Sequence, residues 1–145
     1  MADIDLNARV KEALERTEIM ALSTIGPDGS WTSPMEFRYN EKLELYFMSM
    51  MDTKHVANIL KDPRVSVAIY SFPGPTGGNL GLQIKGTAKH LTKQSASDEA
   101  AHNTGNKFSE TWHHFKITPE EVWCFDSRVF GRKRRHVDLS DLNLG

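Results

Sequence analysis

The sequence contains a single cysteine, Cys124, and no apolar run near the ~18 residues that a membrane helix needs. One thiol excludes an intrachain disulfide and leaves a cysteine-based zinc site without partners, so a reducing, cytoplasmic setting is expected. Charge of one sign is lacking as well. Eighteen basic residues against nineteen acidic give a net charge of -1, so no overall field draws the chain to nucleic acid or anionic lipid. The opening stretch MADIDLNARVKEALER has acids where a secretory signal would carry an apolar core. There is no GxSxG elbow, and Cys124, between Trp123 and Phe125, reads as a packed thiol. His113 and His114 are neighbours and point to different sides of any helix, so no metal site is expected.

What is present is an ordinary globular composition, 39% hydrophobic and 26% charged over 145 residues, which fits one domain. We read residues 1–145 as a single unit with a core over about 5–126 and a polar tail over 127–145. Leu6, Val10, Ala13 and Leu14 recur at helical spacing and predict a helix from Asp3 to about Thr17, capped by Asp3 or Asp5. EIMALSTIG and SWTSPMEFRY predict a hairpin about the turn GPDG, the second arm an edge strand or one bulged near its start because Pro34 cannot donate to a ladder. LELYFMSM, VSVAIYSF, LGLQIKGTAKHL and TPEEVWCFD read as further strands, with a short helix after the first. Gly81 and Gly86 mark bends or the close approach of a ligand. Residues from Thr92 to about Phe115 read as helical with a break at NTGN, and with Phe108, Trp112 and Phe115 on one face. The pattern is mainly β with flanking helices, and a small antiparallel barrel is the natural closure.

Two clusters point away from familiar nucleotide motifs. Gly74, Gly77, Gly78 and Gly81 run into a strand instead of a helix, so they do not form a dinucleotide fingerprint. The basic run GRKRRH reads first as a solvated face, with contact to a phosphate, an acidic partner or a polynucleotide as the alternatives.

The stretch MSMMDTKHVANILKDPRV is different. A helix begins at Thr53 or Asp52, and Lys54 and His55 follow at once. A cation at a helix N-terminus is unfavourable by a few tenths to about 1 kcal/mol. Thr53, Lys54 and the amides of the first turn together make an anion-binding corner, which Arg38 could reach from the preceding hairpin strand. The alternative is a surface lysine screened by solvent.

Four stretches, MALSTIGPDGSWTSPMEF, LYFMSMMDTKHVANILKDPRVSVAIY, LQIKGTAKHL and ITPEEVWCFD, resemble in order and spacing the pyridoxamine 5'-phosphate oxidase-like family of flavin-binding split barrels. The resemblance implies a six-stranded antiparallel split β-barrel of the FMN-binding type, usually a homodimer with cofactor at the subunit interface. By that resemblance Lys54 and Thr53 hold the FMN phosphate, with Arg38 as a third arm. Ser33, Pro34, Met35 and Glu36 line the isoalloxazine edge. Phe47, Met48 and Ser49 follow along the next strand, with Gln83 and Lys85 nearby or supplied across the dimer. The implied function is an oxidoreductase passing electrons from a reduced donor to a small-molecule acceptor. Ser33 or Thr32, and Thr53, stand where the family's pyridoxamine phosphate oxidases carry arginine, so another substrate is expected. The alternative is a non-catalytic carrier or stress sensor binding FMN or haem, with His90, His113 or His114 as axial ligand.

Overall fold

Alternation along short segments, and not any long apolar run, sets the architecture. The computed structural model describes residues 4–72, 78–93, 96, 99, 100, 103 and 111–145. Helix α1 spans Leu6–Glu15 and buries Val10, Ala13 and Leu14; its cap is Asp5, which accepts from the Ala8 amide at 3.1 Å. Strands β1 (Ile19–Gly26) and β2 (Gly29–Glu36) pair rung for rung from Ile19 opposite Glu36 to Gly26 opposite Gly29. Gly29 has φ +113°, a backbone state that glycine adopts at no steric cost. A two-residue strand β3 (Arg38–Tyr39) and β4 (Leu45–Ser49) follow, then helix α2 (Lys54–Lys61). Strands β5 (Arg64–Ser71), β6 (Leu80–His90), β7 (His113–Asp126) and β8 (Arg134–Val137) complete the sheet.

The sheet order is β2-β1-β5-β6-β7-β4-β3, with β8 added on β7. Every pairing is antiparallel. The first and last strands of that order are consecutive in the chain, joined only by Phe37. The sheet therefore curls until its two ends are one continuous run, a split barrel. Its interior holds Leu22, Leu45, Phe47, Ile69, Leu82, Phe115, Ile117 and Val122, all essentially without solvent contact. Each such side chain contributes about 1.5–3 kcal/mol relative to exposure.

Six long strands match the six expected, and two short ones raise the count to eight. Phe37 turns inward and is buried, which breaks the expected second arm into β2 and β3. β2 is indeed at the edge, with Pro34 opposite Ala21. The helix expected to reach Phe115 stops short. Ala96, Glu99, Ala100 and Asn103 are helical, but His113 already opens β7, where Phe115 stacks on Phe47 at 5.0 Å between centroids. An aromatic spacing was mistaken for helical period; Phe108 lies outside the described residues. The segment 127–145, read as a polar tail, supplies β8 and buries Val137, Leu142 and Leu144 in the main core. Three apolar residues spread among charges gave no periodic signal. The glycines of β6 admit the chain itself: a Cβ at Gly81 would strike the Ile69 carbonyl and the Phe125 ring, and one at Gly86 the Thr118 carbonyl.

Candidate functional site

The barrel splits beside Phe37, and a cleft of about 340 Å³ lies there. Glu36, Phe37 and Arg38 form one wall, Tyr46, Phe47 and Met48 of β4 the other, and Trp112 closes an end. The volume is within the usual range of about 300–1,000 Å³ for small-molecule sites. Arg38 Nη1 donates to the Phe37 carbonyl at 2.9 Å, which holds the guanidinium at the cleft. The Tyr46 hydroxyl donates to Glu99 at 2.5 Å and is buried, so its proton is held well above the ordinary phenol range. Desolvation is the main cause, and the Glu99 carboxylate adds to it.

Phe47 connects this cleft to a second feature. Its ring meets the edge of His55 at 6.4 Å. His55 is buried and is the hub of a hydroxyl cluster drawn from three elements. Its Nε2 lies 2.7 Å from Ser49 Oγ of β4 and 3.2 Å from Thr53 Oγ1, the cap of α2. Its Nδ1 lies 3.5 Å from Ser33 Oγ of β2. Thr53 also accepts from the Val56 amide at 3.4 Å, which satisfies one of the donors at the start of α2. The amides of Lys54 and His55 precede any intrahelical acceptor. Buried Asn58 donates to Thr24 Oγ1 at 3.0 Å and fixes α2 against β1.

The structure gathers most of the expected residues but divides them. Ser33, Ser49 and Thr53 meet at the His55 corner, and Lys54 starts the same helical turn. Glu36, Arg38, Phe47 and Met48 line the cleft. Arg38 is not at the corner: it pairs with Tyr46, three residues or roughly 10 Å along β4 from Ser49. Met35 packs on the core, while Pro34 is exposed. Gln83 and Lys85 lie elsewhere, on the outer sheet face, in a hollow of about 610 Å³ with Ser23, Thr32, Trp123 and Arg134. There Gln83 Oε1 accepts from Arg134 at 2.6 Å, and the Arg134 guanidinium lies 5.0 Å from the Trp123 ring centroid.

Lys54 itself points outward. Its ammonium sits 4.3 Å from the centroid of Trp31, so a ring face, together with solvent, answers the unfavourable dipole in this structure. His55, Trp31 and Trp112 were missed by sequence reasoning. The signal for His55 existed: with Ile59 at i+4 it falls on the apolar stripe of α2, and a polar residue there needs partners. Of the other histidines, His114 is fully buried, and His90 Nε2 lies 2.9 Å from His113 Nδ1. Among the described residues no group of three or more His, Cys, Asp or Glu could hold a metal. No described helix is long and apolar enough to cross a membrane.

A curled antiparallel sheet, split beside a cleft and closed by a helix that starts next to it, is the frame of a split barrel. The chain belongs to the pyridoxamine 5'-phosphate oxidase family, whose pattern matches residues 6–138. Solved structures agree on the fold. A heme binding protein from Mycobacterium smegmatis superposes with TM-score 0.75 at 13% identity, over 97% of this chain and 60% of that one. General Stress Protein 26 from Bacillus anthracis gives 0.67 at 15% identity, over 92% and 100%. An FAD binding protein from Mycobacterium smegmatis gives 0.65 at 13% identity, over 90% and 96%. No curated protein matches the sequence.

Proposed function

We propose that the protein is a homodimeric flavoprotein oxidoreductase that binds FMN at the split of its barrel and passes electrons from a reduced donor to a small-molecule acceptor. The observation that carries the reading is the cleft at the split of the barrel, whose β4 wall runs on along the chain to the start of α2. A planar ring system would lie in the cleft beside Glu36, Arg38, Met48 and Trp112, and a phosphate at the Thr53–Lys54 start of α2. Lys54 is within one side-chain swing of that corner, and a phosphate would compete for it with Trp31. When bound, flavin supplies the hydride and electron chemistry; this chain binds, orients and shields it. No side chain is assigned as an acid or base.

A second copy belongs on the outer face. Its floor is made of small residues, Ala21, Ser23, Ser66 and Ala68, so another backbone can approach closely, and Gln83, Lys85, Trp123 and Arg134 stand ready to reach a partner's cleft. Visible absorption of the purified protein, before and after FMN addition, tests the cofactor. Perturbed flavin bands with a 1:1 endpoint per chain are expected, and a spectrum equal to free FMN overturns the reading.

The His90–His113 pair favours haem as the second reading. Burial and the facing His113 hold His90 below the usual imidazole range, and the neutral ring is the ligating form. A Soret band on haem addition, lost in His90→Ala, would replace FMN with haem.

A further inference from the structure

Phe37 is buried at the split, while Glu36 before it is exposed and Arg38 after it is half-buried. These two opposite charges share one wall of the cleft, yet among the described residues neither forms an ion pair. A guanidinium carries five N–H donors. Arg38 spends one, from Nη1, on the Phe37 carbonyl at 2.9 Å. The Glu36 carboxylate accepts no hydrogen bond among the described residues. The Tyr46 hydroxyl in the same lining is committed, donating to Glu99 at 2.5 Å and accepting from Asn40 at 3.4 Å. Phe37, Phe47, Met48 and Trp112 make the rest of the lining apolar or aromatic. In water the two charges are solvated, and leaving them unpaired costs little. A ring laid over this wall removes that water, and each charge it covers must find a partner in the ring or stay unpaired at a cost. A purely apolar ring supplies no partner. An edge that carries an N–H beside a carbonyl supplies both, the N–H to Glu36 and the carbonyl to Arg38.

Resting on the FMN reading above, we propose that Glu36 and Arg38 together read the imide edge of the flavin ring, and that Arg38 raises the reduction potential of the bound cofactor. The imide edge is the pyrimidine end of the ring, where an N–H lies between two carbonyls. Two electrons and one proton added to the ring leave it with one negative charge, shared between a nitrogen of that end and its neighbouring carbonyl. A guanidinium steadied by the Phe37 carbonyl stabilises this reduced form more than the neutral oxidised one. Glu36 accepts from the N–H and so fixes which end of the ring enters, but its own charge opposes reduction. The two residues therefore cooperate in orientation and act with opposite sign on the potential.

That difference in sign is the readout a merely structural role would not give. The reduction potential of FMN bound to the intact protein is measured against a reference dye, with dithionite as the electron source. Arg38→Gln should lower the ratio of reduced-FMN to oxidised-FMN affinity at least tenfold, about 30 mV in a two-electron couple. Arg38→Lys should keep most of the native value, and Glu36→Gln should move the ratio the other way. Shifts of one sign in both glutamine variants, or no shift, overturn the proposal. A second readout starts from the native protein. FMN methylated at the imide nitrogen has no N–H to donate there and should bind at least tenfold more weakly than FMN, a difference that Glu36→Ala should erase. Equal affinities in the native protein, or a penalty that survives in Glu36→Ala, overturn the proposal. If FMN binds and neither effect is seen, the pair loses its role and the cofactor reading stands. If the native protein does not bind FMN, both fall.

Discussion

The two helices of this protein begin in opposite ways. α1 is capped by a carboxylate, Asp5, as its dipole prefers, and its Arg9 reaches a buried carboxylate, Asp126 of β7, at 3.0 Å while also pairing with Glu12. Its charges are answered within the chain. α2 is capped by uncharged Thr53 and puts Lys54 and buried His55 in the turn where positive charge is least welcome. Partial answers come from Trp31 and three hydroxyls, none of which carries a negative charge. A helix whose electrostatics close on themselves holds a fold together. One left short of an anion is where the proposed phosphate would be held.

The largest test breaks the α1 side. Asp126→Ala leaves Arg9 with Glu12 alone and removes the acceptor of the Arg128 amide, and should cost about 2 kcal/mol in urea unfolding. FMN affinity of the variant that remains folded should be unchanged. On the α2 side Lys54→Glu should do the reverse. It should weaken FMN at least tenfold, about 1.4 kcal/mol, with little change in unfolding; a folded variant of native affinity would remove Lys54 from the phosphate site.

Acid should sharpen the contrast. His55 and His90 are both held below the ordinary value of 6.5, so folding favours their neutral forms. Their contribution is complete above about pH 6.5 and declines as pH falls through the depressed folded values. Unfolding free energy should drop over that range. The smallest effect is expected from Trp31→Ala, about 0.5 kcal/mol in stability. FMN affinity should hold or improve there, because Lys54 loses the competing ring.

The legibility of these regions in the sequence followed the same division. α1 was readable from apolar residues at helical spacing, the β1–β2 hairpin from its turn, and the long strands from alternation, as in β5, where Val65, Val67 and Ile69 point inward. β7 was half lost: Trp112 and Phe115 sit three apart, and only the pairing of Phe115 with Phe47 reveals a strand. β8 was hidden by its exposed Arg134, Arg135 and His136, with Val137 its only buried residue. At the site, Thr53 and Lys54 announced themselves by position, but His55 gains its meaning from Ser33 and Ser49, 22 and 6 residues away. Arg38 was expected at the corner because a hairpin brings strands together; register, which no composition encodes, set it beside Tyr46 instead.

The bend at Phe37 has a mechanical consequence. Since β2 and β3 are the two margins of one sheet and no pairing among the described strands crosses between them, a molecule wedged into the split separates no hydrogen-bonded rungs. The bend itself is pinned, because the Phe37 amide donates to the Glu18 carbonyl at 3.0 Å and its ring is buried. The seam of this barrel is thus fastened at a point and not along a ladder, so what lies in it bears on side chains and not on the sheet's own rungs.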